Sequence, residues 1–185
     1  KACVHLAFPE WAADLLPAFL VNQAYRTIAE AEAAPAECRI RALRLLGELG
    51  GELAAGQEMD LALARKKASE AELLACYARK SGALFAAALA GGACLCGADE
   101  AAVAALRAAG IRLGQAYQLL DDVADGPEED GAYREAGRYT AYSLFGPENA
   151  CARAEALLAE AARTFDGFGS AGDRLRELLD QMRGR

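Results

Sequence analysis

Between Leu113 and Asp125 an apolar, helix-favouring run carries Gln118, Asp121, Asp122 and Asp125 at spacings of i, i+3, i+4 and i+7. On an α-helix these positions share one face. An amphipathic helix normally gives that face to Leu or Val, turned towards a core. Gly110, Gly114, Ala116, Leu119 and Leu120 surround the cluster, so the helix reads as buried. Asp is also a poor resident late in a helix, where the dipole repels it. Three neighbouring carboxylates repel one another, and burying them without a counter-charge costs on the order of several kcal/mol or forces protonation. A hard divalent cation removes that cost. Mg²⁺ takes carboxylate oxygens while keeping positions for water and phosphate. The stripe therefore predicts a metal–diphosphate site in a helical protein, against the blander alternative of a solvated helix end.

The rest of the chain predicts helices and nothing else. Hydrophobic residues make up 54%, with much Ala and Leu, and there are only 5 Pro, a composition that favours helix throughout. Pro9–Trp11 opens a first segment, Pro17 breaks or kinks it, and Ala18 to Glu32 continues. Glu37 to Leu63 reads as one long helix with Ile40, Leu43, Leu46, Leu49 and Leu53 inward, bent at Gly50–Gly51. Ser69 and Glu72 have capping-box spacing ahead of a helix holding Tyr77, Lys80 and Phe85. Gly91–Gly92 and Gly97 interrupt before the motif helix, Glu100 to Asp125. Gly126 to Gly131 reads as an acidic loop, followed by helices at Tyr139–Phe145, Glu148–Phe165 and Arg174–Met182. At 185 residues the chain is long enough for a single helical domain, residues 1–185, with its own core.

The net charge of −7 argues against nucleic acid or an anionic membrane as a partner. No apolar run reads as long enough to span a bilayer, so an integral membrane segment is not expected and the cytoplasm is the default. Cys3, Cys38, Cys76, Cys94, Cys96 and Cys151 are scattered through helices and read as free thiols, not a disulfide framework. Gln57 and Asp60 lie at i, i+3 on the face that continues from Leu53, pointing inward as a satisfied pair or a cavity wall. Lys80 is either a snorkelling lysine or the cation that a diphosphate requires. His5 and Trp11 read as structural.

Several blocks resemble one family, the trans-isoprenyl diphosphate synthases, or polyprenyl synthetases. Gly114-Gln-Ala-Tyr117-Gln118-Leu-Leu-Asp121-Asp122-Val-Ala-Asp125 is similar to their second aspartate-rich motif, Gly-x-x-Phe-Gln-x-x-Asp-Asp-x-x-Asp. Gly56-Gln57-Glu-Met-Asp60-Leu resembles Gly-Gln-x-x-Asp-Leu, and Lys80-Ser81-Gly-Ala-Leu-Phe85 resembles Lys-Thr-x-x-Leu-Phe. Gly137-Arg138-Tyr-Thr140 to Gly146 is similar to Gly-Lys-x-Thr-Tyr-x-x-Leu-x-Gly, and Lys1 to His5 resembles the Pro-Thr-x-His that follows the first aspartate-rich motif. The blocks keep the family's order over nearly the whole chain.

The resemblance implies an all-α, isoprenoid-synthase-like bundle around a central cavity. It implies prenyl transfer from an allylic diphosphate to isopentenyl diphosphate, giving a longer trans-isoprenyl diphosphate of farnesyl or geranylgeranyl type. Mg²⁺ would bridge Asp121, Asp122 and Asp125 to the diphosphate. Lys80, Ser81 and Gln118 would be catalytic, with Lys80, Tyr117, Gln118, Arg138 and Gln57 binding substrate, in a homodimer. The first aspartate-rich motif is absent from these residues, so the chain reads as an N-terminally incomplete synthase, inactive by itself. Departures from the pattern are Arg138 for Lys, Ala141 for Tyr, Pro17-Ala18 for Gly-Asp, and a loop after Asp125 without Gly-Lys. They keep open a non-catalytic subunit of a heteromeric synthase. A class I terpene synthase is the other alternative, for which the second Asn/Ser/Glu metal motif is not visible.

Overall fold

The computed structural model describes residues 4–64, 68–135 and 139–183. Among them are α1 (Val4–Ala7), α2 (Glu10–Ala29), α3 (Ala36–Leu63) and α4 (Glu70–Tyr77), then a π-helical segment (Ala78–Gly82) running into α5 (Ala83–Leu95). The long α6 (Glu100–Glu135), α7 (Ala141–Phe145), α8 (Pro147–Asp166) and α9 (Ser170–Arg183) follow. No strand occurs among the described residues.

Helix α6 is the axis. It packs along α5 on one side and α8 on another, while α3 lies against α5 and the π segment. The main core forms where α6 meets α4, α8 and α9, around Leu113, Leu119, Leu158, Phe165 and Leu179, each at most 1% exposed. Full burial of each such side chain contributes about 1.5–3 kcal/mol. On α6, Leu106, Ala109, Leu113, Ala116 and Leu119 occupy this core-facing stripe.

Several sequence expectations need correction. Pro17 sits inside an unbroken α2, and Gly91–Gly92 lie inside α5. Helix α6 does not stop at Asp125 but runs through Gly126 and Pro127 to Glu135. Proline's φ suits a helix, but in the interior it removes one donor and its ring crowds the carbonyl four residues back, at a cost of about 3 kcal/mol; both helices nonetheless run through their proline. The buried positions of α3 include Ala42, Leu49, Gly56 and Leu63, a seven-residue repeat facing one side; Ile40 lies off that stripe and is 55% exposed. Trp11 is not core either. It is 63% exposed on α2, a helix with no buried residue.

The continuous helical run Glu70–Leu95 is long and apolar enough to cross a membrane by length and composition, contrary to the sequence reading. It carries Arg79 and Lys80 near its middle and packs against α3 and α6, as the core helix of a bundle does. Cys38, Cys76, Cys94, Cys96 and Cys151 are free thiols.

Candidate active site

One row of α6 residues, spaced by four, builds the wall of the site. Gly110, Gly114, Gln118 and Asp122 follow one another up the helix and meet, in descending order, Ala86, Gly82, Ser81 and Tyr77. The lower half of the row is small, so the two backbones touch: a Cβ on Gly110 would lie 2.5 Å from the Cα of Ala86. The upper half is polar, and there contact becomes hydrogen bonding. Ser81 Oγ donates to Gln118 Oε1 at 3.0 Å, and Gln118 Nε2 donates to Asp122 Oδ1 at 3.0 Å. Tyr77 Oη donates to Asp122 Oδ2, as does the Ala141 backbone N–H at 2.7 Å. Asp122 thus ties together α4, α6 and α7.

The π segment aims two adjacent side chains at different helices. Such widened turns recur at functional sites because they re-aim the residues they carry. Ser81 faces Gln118 of α6, whereas the Lys80 ammonium meets Asp60 Oδ2 of α3 at 2.7 Å. Both members of that pair are largely screened from solvent, with side chains 28% and 14% exposed. Close approach of α3 makes the pair possible: a Cβ on Gly56, one turn before Asp60, would sit 2.3 Å from the backbone N of Lys80.

An open cavity lies beside the polar half of this row. It is lined by Asp121, Asp122 and Asp125 with Gln118, by Lys80 and Asp60 across from them, and by Tyr77, Gly126, Tyr139 and Thr140. Burial, and then the Asp122 charge beside it, hold the Tyr77 phenol far above its ordinary value, so it remains a donor. Thr140 caps α7, accepting from the Ser143 N–H at 3.3 Å while its own N–H donates to Ser143 Oγ at 2.9 Å.

The cavity therefore gathers Lys80, Gln118, Asp121, Asp122 and Asp125, and holds Ser81 through Gln118. Tyr117 is displaced from it. Its ring packs on Phe85 with centroids 5.7 Å apart, and it lines a neighbouring apolar hollow with Leu120, Asp121, Ala124 and Met182. Gln57 is exposed on α3 and does not reach the cavity. The inward row of α3 there is Gly56 and Asp60, and Gln57 is turned about 100° away from Gly56 by the helical step. Arg138 lies outside the described residues. Tyr77 and Tyr139 were missed as cavity residues; Tyr77 could have been found from its place one turn before Lys80.

Among the described residues, no three His, Cys, Asp or Glu side chains converge closely enough to hold a metal unaided. The donor chemistry still suits Mg²⁺, with hard carboxylate oxygens on one wall and a lysine on the other. Mg²⁺ characteristically takes one or two carboxylates and completes its shell with water and phosphate.

The chain matches the polyprenyl synthetase family model over residues 1–134. This chain belongs to the polyprenyl synthetase family. It is 31% identical over 151 residues to the geranylgeranyl diphosphate synthase of Pantoea ananas, covering 80% of this chain and 50% of the relative. It is 32% identical over 194 residues to a probable farnesyl diphosphate synthase of Sinorhizobium fredii, covering 96% and 57%. Among solved structures, an FPP/GFPP synthase of Zymomonas mobilis superposes with a TM-score of 0.82 at 27% identity, covering 98% of this chain and 64% of that one. The fold of this polyprenyl synthetase family member is thus the all-α isoprenyl synthase fold. The chain spans about half the length of the curated relatives it matches.

Proposed function

We propose that the protein is a Mg²⁺-dependent prenyltransferase that condenses an allylic diphosphate with isopentenyl diphosphate into a longer trans-isoprenyl diphosphate of farnesyl or geranylgeranyl type. The observation that carries the reading is the cavity with Lys80 on one wall and Asp121, Asp122 and Asp125 on the other, in a family whose relatives are named for such syntheses. Mg²⁺ held from the aspartate wall would neutralise diphosphate charge and strengthen it as a leaving group. Lys80 places a fixed ammonium where negative charge grows as the allylic C–O bond breaks and the bonding pair departs with diphosphate. Stabilising charge that develops only in the transition state raises the rate, not merely the affinity. Gln118 and Ser81 would line the ionising carbon, with Tyr117 bordering the neighbouring apolar hollow and Arg138 as a second cation. The alkene of isopentenyl diphosphate attacks the allylic cation, and a proton then leaves the adjacent carbon, with the departed diphosphate as its acceptor.

By this reading the 185 residues carry one of the two carboxylate walls that turnover needs, form a single domain, and assemble as a homodimer in the cytoplasm. The free thiols suit a reducing compartment, and Trp11, Leu15 and Phe19 form an exposed stripe suited to a partner. The test is transfer of radiolabel from isopentenyl diphosphate into a longer prenyl product by the intact protein, with and without Mg²⁺. Lys80→Ala should slow turnover far more than it lowers the melting temperature. No product with any allylic primer would favour a non-catalytic subunit instead.

A further inference from the structure

Asp122 is tied to the protein through both of its carboxylate oxygens. Its Oδ2 accepts from both Tyr77 Oη and the Ala141 N–H, and a carboxylate oxygen has two lone pairs to offer. Protein donors therefore occupy the capacity of that oxygen, while Oδ1 accepts from Gln118. The three donors come from three elements: Tyr77 ends α4, Gln118 lies one turn back on α6, and Ala141 begins α7. Tyr77 is itself only 4% exposed and packed in the main core, so the direction of its hydroxyl is set by packing.

Resting on the functional reading above, we propose that Tyr77 is a positioning residue for the site. It turns Asp122 towards the protein, where that carboxylate fixes the Gln118 amide and the start of α7. Asp121 and Asp125 then take the metal and the diphosphate. The aspartate cluster is on this view divided: two side chains address the ligand and one organises the wall around them. A buried tyrosine that merely satisfies its hydroxyl would show the same hydrogen bond, so the two roles must be separated by coupling.

The experiment uses the intact protein and inorganic pyrophosphate as probe, titrated at graded Mg²⁺ by calorimetry, beside turnover and thermal melting. The variants are Tyr77→Phe, Asp122→Asn, the two combined, and Asp121→Asn. Asp121→Asn is expected to raise the Mg²⁺ concentration at half-maximal pyrophosphate binding by about tenfold or more. Tyr77→Phe and Asp122→Asn should leave that midpoint in place and each lower kcat about tenfold, and the double variant should lose no more than the worse single one. Asp122→Asn moving the Mg²⁺ midpoint as far as Asp121→Asn would make Asp122 a ligand and overturn the proposal. Additive losses, or a loss in Tyr77→Phe that matches only its fall in folded fraction, would overturn it as well. Failure of the unaltered protein to bind pyrophosphate with Mg²⁺ would refute the functional reading itself, and the proposal with it.

Discussion

A Cβ placed on Gly114 would stand 2.4 Å from the Cα of Gly82, so α6 and the π segment meet backbone against backbone. This contact sets the spacing at which Ser81 reaches Gln118 at 3.0 Å and, farther along the same row, Tyr77 reaches Asp122. The polar wall of the cavity is thus held by a pair of glycines that carry no chemistry themselves.

Gly114→Ala should for that reason cost more than an ordinary surface change. The new methyl meets backbone, which cannot swing away as a flexible side chain could. Overpacking of this kind costs about 1–3 kcal/mol, a fall of roughly 2–12 °C in melting temperature for a chain of this size. Thermal unfolding measures it. A melting temperature unchanged from wild type would show that the helices can part freely.

Mg²⁺ alone should stabilise the intact protein little, because no complete ligand set stands ready among the described residues. With pyrophosphate present the shell can be completed. Saturation at a hundredfold over Kd then contributes about 2.7 kcal/mol, or roughly 5–10 °C in melting temperature. Equal shifts with and without pyrophosphate, or a shift that survives Asp121→Ala, would mark the aspartates as a solvated helix face.

Trp11, Leu15 and Phe19 stand one turn apart on α2 and are 63%, 61% and 58% exposed. If they cover a homodimer interface, Trp11→Asp combined with Phe19→Asp should shift the intact protein from dimer to monomer in light scattering at micromolar concentration. A monomer before any substitution would remove the dimer from the functional reading.

Arg183 fastens α9 to α8, donating to Glu155 at 2.7 Å and 3.0 Å. The hydrogen bond from Arg183 holds the Glu155 carboxyl below its usual range. A depressed folded-state value means that the contribution is present above the unfolded value of about 4.3 and is lost as pH falls through the lower folded one. Both side chains are more than a third exposed, 37% and 55%, so screening keeps the pair below about 1 kcal/mol. Arg183→Gln should accordingly melt slightly lower than wild type at pH 7, and the gap should close in acid. A gap that widens as pH falls would show that another group is responsible.

The helical class and the family were legible in the residues themselves, because both depend on local features. Alanine- and leucine-rich composition favours helix wherever it occurs, and the Ser69–Glu72 capping box forms as its spacing requires. The three aspartates share a helix face whatever surrounds them, and Lys80 stood out, with Arg79 beside it, on an otherwise apolar helix. Boundaries were less legible. Pro17, Gly91–Gly92 and Pro127 read as breaks, yet each lies within a helix; at Gly91, buried in α5, packing outweighs the local preference.

What tertiary structure decided was which neighbour each side chain meets. Gln57 and Asp60 are three residues apart and looked equivalent, but the approach of α3 to the π segment at Gly56 turns Asp60 to Lys80 and leaves Gln57 outside. Tyr117 and Gln118 are adjacent in sequence and lie on different cavities. Asp121 and Asp122 are adjacent too; Asp122 accepts from Tyr77 and the start of α7, while Asp121 also borders the neighbouring apolar hollow. Sequence spacing determines the angle between two side chains on one helix; the distance to a second helix depends on how closely the backbones pack, and here glycines contributed by both helices at Gly82 and Gly114 set that distance.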